Sequence, residues 1–130
     1  MIKATPIREL EDRDTLLESI GLTPLERECL ITVTEGKQLH AFYLFVFCPE
    51  GGRVTRLITF PGASREALDL GLRAVVNFLD RAGGKTAFFE PKDDVMRTIA
   101  KTIGFVPAEG KVSELSLDIK AFFEHPCQGH

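Results

Sequence analysis

The stretch Gln38 to Cys48, QLHAFYLFVFC, constrains the fold more than any other part of the chain. It is an almost unbroken apolar run. Successive side chains of a strand point to opposite faces, so such a run must be covered on both sides. This predicts a central strand with packing layers above and below it. The segments around it fit that frame. CLITVT, from Cys29, is rich in β-branched residues and reads as a strand, as does VTRLITF, Val54 to Phe60. The links EGK and PEGGR are short enough for hairpin turns, so the simplest arrangement is an antiparallel meander.

Upstream, Ile2 to Arg8 reads as a short first strand interrupted by Pro6. DRDTLLESIG reads as a helix with Leu16, Leu17 and Ile20 on one face and Gly21 as its stop. TPLE carries a cap signature, with Thr23 as cap, Pro24 at the first helical position and Glu26 three residues after the cap. It predicts one or two helical turns. Downstream the period changes. Leu68, Leu72, Val75, Val76 and Leu79 recur at helical spacing, with Ser64 as cap and Gly83-Gly84 as terminator, predicting a helix over about 65–82. TAFFE is a short strand. PKDDVMRTIAKTIG is a second helix with Met96, Ile99 and Ile103 on one face and Gly104 as its stop, and SELSLDI alternates as a half-buried strand. A strand–helix–strand crossover makes its two strands parallel. The fold class is therefore α/β, a mixed sheet in which an antiparallel meander is followed by a parallel strand–helix–strand unit, with helices on both faces.

The chain has 130 residues, a length suited to a single domain with its own core. Net charge is −3, there is no long basic run, and nucleic acid is not an expected partner. No apolar run reaches membrane-spanning length and MIKATPIREL is not a secretory signal, so the expected location is cytoplasmic, with no membrane partner. The cysteines, Cys29, Cys48 and Cys127, are odd in number and widely spaced, which supports neither a disulfide framework nor a zinc site. Cys48 reads as a buried small hydrophobe. His125, Cys127 and His130 lie close together in HPCQGH, but a loose terminus explains them better than a metal site.

The chemistry of the chain turns on LITFPGASREALDLGL, Leu57 to Leu72. A strand meets Pro61-Gly62 and passes directly into a helix. A helix start offers unpaired amides and the positive end of the helix dipole, which together favour an anion. The order of elements around this turn resembles that of the GNAT superfamily of acyl-CoA-dependent N-acyltransferases. The likeness covers Leu30 to Ile119 and rests on two stretches. VTRLITFPGASREALDLGLRAVVNFLDRAGG is similar to the family's fourth strand, phosphate loop and long helix. TAFFEPKDDVMRTIAKTIGF is similar to its fifth strand, following helix and Gly-Phe ending, here Gly104-Phe105.

The resemblance implies that strands four and five splay apart and hold the pantetheine arm of acetyl-CoA, the co-substrate. Backbone at Leu57, Ile58, Thr59 and Phe60 would bind the arm, and the turn at Ser64, Arg65, Glu66, Ala67 and Leu68 would bind the phosphates. Several positions depart from the family's pattern. Ser64 stands for Gln or Arg, Ala67 for a glycine, and Asp69 for a Gly or Ala. Asp69 and Glu66 bring negative charge toward a diphosphate, which Arg65 partly offsets. Ala100 stands where the family often has a tyrosine that protonates the leaving thiolate, and Asp93 stands for an asparagine. No carboxylate lies within Arg56 to Thr59, where some members keep a base.

Transfer to an amine requires a base for the ammonium. Glu90, at the end of the fifth strand, is a candidate base, and a solvated strand end is the competing reading. His40 titrates in a useful range, but a lone histidine in an apolar strand also reads as a satisfied core or edge residue. Tyr43, the only tyrosine, is a candidate acid or else a packed ring with a bonded hydroxyl. Phe42, Phe45, Phe47, Phe88 and Phe89 read as core. Phe122 and Phe123 predict either cover for the sheet or a homodimer through the segment after Ile119. The function expected is acyl-CoA-dependent transfer to a small-molecule or peptide amine. The alternative is a non-catalytic, GNAT-shaped binding or assembly module that has lost CoA binding.

Overall fold

The computed structural model describes residues 1–110 and 113–124. The elements run β1 (Ile2–Ile7), α1 (Leu10–Ser19), β2 (Cys29–Glu35), β3 (Gln38–Cys48), β4 (Gly51–Thr59), α2 (Arg65–Arg81), β5 (Thr86–Phe89), α3 (Asp94–Ile103), β6 (Val106–Pro107), β7 (Leu115–Asp118) and α4 (Ile119–Glu124). The strands form one seven-stranded sheet in the order β1-β2-β3-β4-β5-β7-β6. β1 to β4 are an antiparallel meander, β4 and β5 are parallel, and β7 returns antiparallel to β5. The expected mixed sheet is therefore present, with the long apolar strand β3 inside it.

The two faces carry different loads. On one, α2 and α3 pack through Leu72, Val75, Val76, Leu79, Met96, Ile99 and Ile103 onto Ile31, Val33, Tyr43 and Phe45. On the other, α1 brings Leu17 onto Leu30, Phe42 and Leu44. A fully buried side chain of this size contributes about 1.5–3 kcal/mol, so the α2–α3 face supplies most of the stability. Pro6 sits in β1, an edge strand, where a missing backbone donor is tolerated.

Several boundaries differ from those expected. β4 begins at Gly51, so the β3–β4 turn shrinks to Pro49 and Glu50. The glycines are there for closeness: a Cβ at Gly51 would run into the Thr86 carbonyl oxygen, and one at Gly52 into Leu79. TPLE forms no helix. Instead Arg13, 4% exposed on α1, donates from Nη1 to the carbonyls of Leu25 at 2.9 Å and Glu28 at 2.6 Å, which holds residues 22–28 as an irregular strap. The helix expected to end at Ala82 ends at Arg81. The segment after β7, which shows no sequence period, makes the short helix α4. Phe47 is 51% exposed rather than core, although one side of its ring lies against Phe78 of α2. Cys48 is half-buried, not buried. His125, Cys127 and His130 lie outside the described residues. Among the described residues no helix is long and apolar enough to cross a membrane.

Candidate functional site

The parallel pairing of β4 and β5 is brief. It joins Gly51 to Thr86, Gly52 to Ala87 and Arg53 to Phe88, and stops there. Beyond Arg53 the two strands part, leaving the β5-facing edge of β4 without a partner strand. A narrow cavity of about 90 Å³ opens in the gap, lined on β4 by Val54, Thr55, Arg56, Leu57 and Thr59 and on the other wall by Phe89, Glu90, Lys92, Asp93 and Met96. An unpaired strand edge inside a cleft presents backbone donors and acceptors to any extended ligand.

The gap opens where β4 carries a bulge. Leu44 is opposite Arg56 and Phe45 opposite Val54, so Thr55 is an extra residue. Thr55 and Arg56 consequently point the same way, to the α1 side, and meet the buried carboxylate of Glu28. Thr55 Oγ1 donates to Glu28 Oε2 at 2.5 Å and Arg56 Nε lies 3.1 Å from both carboxylate oxygens. Arg56 Nη2 also donates to Glu28 Oε1 and, at 3.1 Å, to the Thr23 carbonyl. One wall of the cleft is thus tied to the irregular strap. The sequence carried a faint signal for this cluster: two consecutive polar residues interrupt an apolar strand, and an acid immediately precedes another.

At the other end of the cleft the chain turns at Pro61-Gly62 into α2. Ser64 caps the helix, its Oγ accepting from Ala67 N–H at 3.1 Å. Among the described residues no hydrogen bond uses the amides of Arg65 or Glu66, which is usual for the first turn of a helix. The side chains of Arg65, Glu66 and Asp69 face a second, open groove of about 300 Å³ whose far wall is Ile99 and Thr102 of α3. Asp69 does not stand there as a bare charge, because it accepts from Arg73 Nε at 2.6 Å one helical turn on. The repulsion expected from Asp69 toward a phosphate is therefore partly cancelled.

The expected cofactor-binding residues divide by direction. Leu57 and Thr59 line the cleft, and Arg65 and Glu66 line the second groove. Ile58 and Phe60 turn the opposite way and pack on the α1-side core, with Phe60 edge-on to Phe42 at 5.0 Å. Ala67 and Leu68 are in the main core, so only their backbone is open to a role.

The three candidate catalytic residues also separate. Glu90 lines the cleft, is exposed, and accepts from Lys92 Nζ at 2.8 Å. That hydrogen bond is the main reason its carboxyl titrates below the ordinary 4.5. Tyr43 is a correction. It is fully buried, its hydroxyl donates to the Leu68 carbonyl at 2.5 Å, and burial pushes its ionisation up, so it fastens β3 to α2 and does not reach the cleft. His40 is a second correction. It is 2% exposed and bonded at both ring nitrogens to groups outside the cleft. At Ala100, buried against the core, there is no hydroxyl for a leaving thiolate.

Neither a family model nor a curated relative matches the chain. Solved structures do. The ribosomal-protein-S18-alanine N-acetyltransferase from Escherichia coli superposes with a TM-score of 0.66 at 14% identity, over 92% of this chain and 94% of its own. AtaTR bound with acetyl-CoA gives a TM-score of 0.67 at 16% identity, over 95% and 96%. A Bacillus subtilis acetyltransferase in complex with CoA gives 0.60 at 11% identity, over 91% and 99%. Identities this low speak for architecture alone. With the splayed parallel pair and the strand–turn–helix that follows it, they establish that this chain has the GNAT fold.

Proposed function

We propose that the chain is an acyl-CoA-dependent N-acyltransferase, with acetyl-CoA as co-substrate and a small-molecule or peptide amine as acceptor. The observation that carries this reading is the gap between β4 and β5, which opens at Arg53 and runs toward the unpaired amides at the start of α2. A linear arm lies along the free edge of β4, and phosphates sit at the positive end of α2. Within the cleft, Glu90 is positioned to take a proton from the attacking amine, directly or through water; the amine attacks the thioester carbonyl, the C–S bond breaks, and CoA leaves as a thiolate that takes a proton from water. A cytoplasmic setting is part of the same proposal.

A second reading is a non-catalytic module of the same shape. It is favoured by the chemistry around the cleft: Glu90 is held ionised by Lys92, and Ala100 and Tyr43 supply no acid there. Other structures similar to this chain are AtaT–AtaR and KacTA complexes with DNA. The expectation that this chain takes no nucleic acid rests on its own charge and is not supported by those neighbours.

Calorimetric titration with acetyl-CoA, followed by thiol-release assays across a panel of amines, tests the proposal. Saturable binding with thiol release on adding an amine supports it. Binding without turnover favours the module, and no binding at millimolar acetyl-CoA refutes the enzyme reading.

A further inference from the structure

The N-terminal end of β3 grips the turn that leads into α2. The His40 carbonyl accepts from Phe60 N–H at 3.0 Å, and Gln38 Nε2 donates to the Gly62 carbonyl at 3.3 Å. In a third bond the turn again donates, from the backbone N–H of Ser64 to His40 Nδ1 at 3.2 Å. A backbone N–H can only donate, so Nδ1 is unprotonated and the ring proton sits on Nε2. From there it is donated to Glu35 Oε1 at 3.2 Å. The ring is 2% exposed, so water has little access to either nitrogen.

From this geometry we propose that His40 is a positioning residue for the anion-binding turn: its neutral imidazole holds Ser64, the cap of α2, and protonation at Nδ1 lets Ser64 go. The inference rests on the turn being the phosphate site of an acyl-CoA enzyme. A second proton would set a ring N–H against a backbone N–H, and the bond between them is lost. Charged groups on the surrounding elements are Glu35 at the end of β2, Lys37 in the β2–β3 turn, and Arg65 and Glu66 in the first turn of α2. Of these only Glu35 pairs with the ring. Its carboxylate accepts the Nε2 bond in both states, so the change on protonation falls on the Ser64 side. Once Ser64 moves, its hydroxyl leaves Ala67 N–H, and the amides of Arg65 and Glu66 lose their common direction. Acid therefore weakens the phosphate cradle without touching the cleft.

The test is nuclear magnetic resonance on the ¹⁵N-labelled full chain, paired with CoA titrations of wild type and His40→Asn. The asparagine side-chain oxygen can accept from Ser64 N–H and does not titrate. We expect a wild-type His40 ring carrying its proton on Nε2 at neutral pH. As the pH falls from about 8 to about 5, the span over which imidazoles titrate, the amide signals of Ser64, Arg65 and Glu66 should move with the ring. They should stay fixed in His40→Asn. Over the same span the CoA dissociation constant of wild type should rise about threefold more than that of the variant, which cancels titration of CoA itself. A proton on Nδ1 at neutral pH, or a Ser64 amide that ignores the ring, overturns the proposal, and both are read on wild type alone. If neither protein binds CoA while Ser64 still follows His40, the latch stands and the acyl-CoA reading fails.

Discussion

The ring of Tyr43 fills the space that a side chain at Gly71 would need: a Cβ there would run into the edge of the ring and into Val33. A glycine inside a helix costs about 1 kcal/mol against alanine. Here it lets α2 sit close enough for the Tyr43 hydroxyl to reach the Leu68 carbonyl. Gly71→Ala should therefore destabilise the protein by about 1–3 kcal/mol, the usual range for overpacking, despite its better helix propensity. Tyr43→Phe should cost about 1 kcal/mol through the lost hydrogen bond. Urea unfolding of both variants checks this, and a stabilised Gly71→Ala would show that the ring has somewhere else to go.

The Glu28–Arg56 pair should be intolerant of losing one partner. Glu28 is buried, and Arg56→Met would strand its carboxylate, with an expected loss of about 3–5 kcal/mol. Replacing both partners with apolar residues should recover much of that loss. A double-mutant cycle by thermal or urea melting measures the coupling, and additive losses would mean that the carboxylate finds another donor.

Asp69→Asn should tighten CoA binding. It removes a negative charge from the groove beside the start of α2 and releases Arg73. A charge pair some distance apart near a protein surface is worth roughly 1 kcal/mol, or about a fivefold change in dissociation constant. Calorimetry on the two proteins decides it. Weaker binding by the variant would mean that Arg73 does more for the ligand while tethered.

The Glu90 carboxyl is depressed chiefly by the Lys92 hydrogen bond. With a folded value below the unfolded one, the interaction is fully present above the ordinary carboxylate range and is lost as pH falls through the folded value. Lys92→Ala should therefore raise the Glu90 titration toward 4.5. If Glu90 is the base, the acid limb of the rate profile should move up with it. Carbon-13 titration of the side chain and the pH–rate profile report on the same group. A limb that stays in place while the carboxyl moves assigns proton removal elsewhere.

Phe122 and Phe123 can now be distinguished. Phe122 packs on the main core beneath the Arg73 guanidinium, which lies 5.9 Å from its ring, whereas Phe123 is 42% exposed. Phe122→Ser should lower stability without changing association. Phe123→Ser should leave the fold intact and, if the chain is a homodimer through α4, yield a monomer. Light scattering with circular dichroism separates these outcomes, and a wild-type monomer at high concentration removes the dimer.

The order of elements was legible, α4 and the two-residue β6 excepted, because local chemistry announces most of them. β3 shows as an apolar run, α2 as a helical stripe behind the Ser64 cap, and α3 as a stripe that stops at Gly104, while the cap of α3, Asp93 accepting from Met96 N–H, emerged only in the structure. The gap between β4 and β5 was reached through resemblance to a family, not through any pattern in Val54 to Phe60. What stayed hidden depends on partners distant in sequence. The strap at residues 22–28 is held by Arg13 and overrides the capping signature of TPLE. Tyr43 and His40 looked chemical by residue type, and their roles were set by Leu68 and Ser64, more than twenty positions away. No short-range pattern reports such bonds.

The bulge at Thr55 also acts as a parity switch. Before it, Gly52 and Val54 face the α2 side; after it, Ile58 and Phe60 face the α1 side, although all four are even-numbered. Deleting Thr55 itself would only restore regular alternation and leave every later side chain on its present face. Deleting Leu57 with the bulge kept would instead drive Ile58 and Phe60 toward the gap and turn Thr59 away, exchanging side chains between the two cores. The spacing between Arg56 and Pro61 is therefore a frame, read modulo two, and a chain with this fold can vary its residues there far more freely than their number.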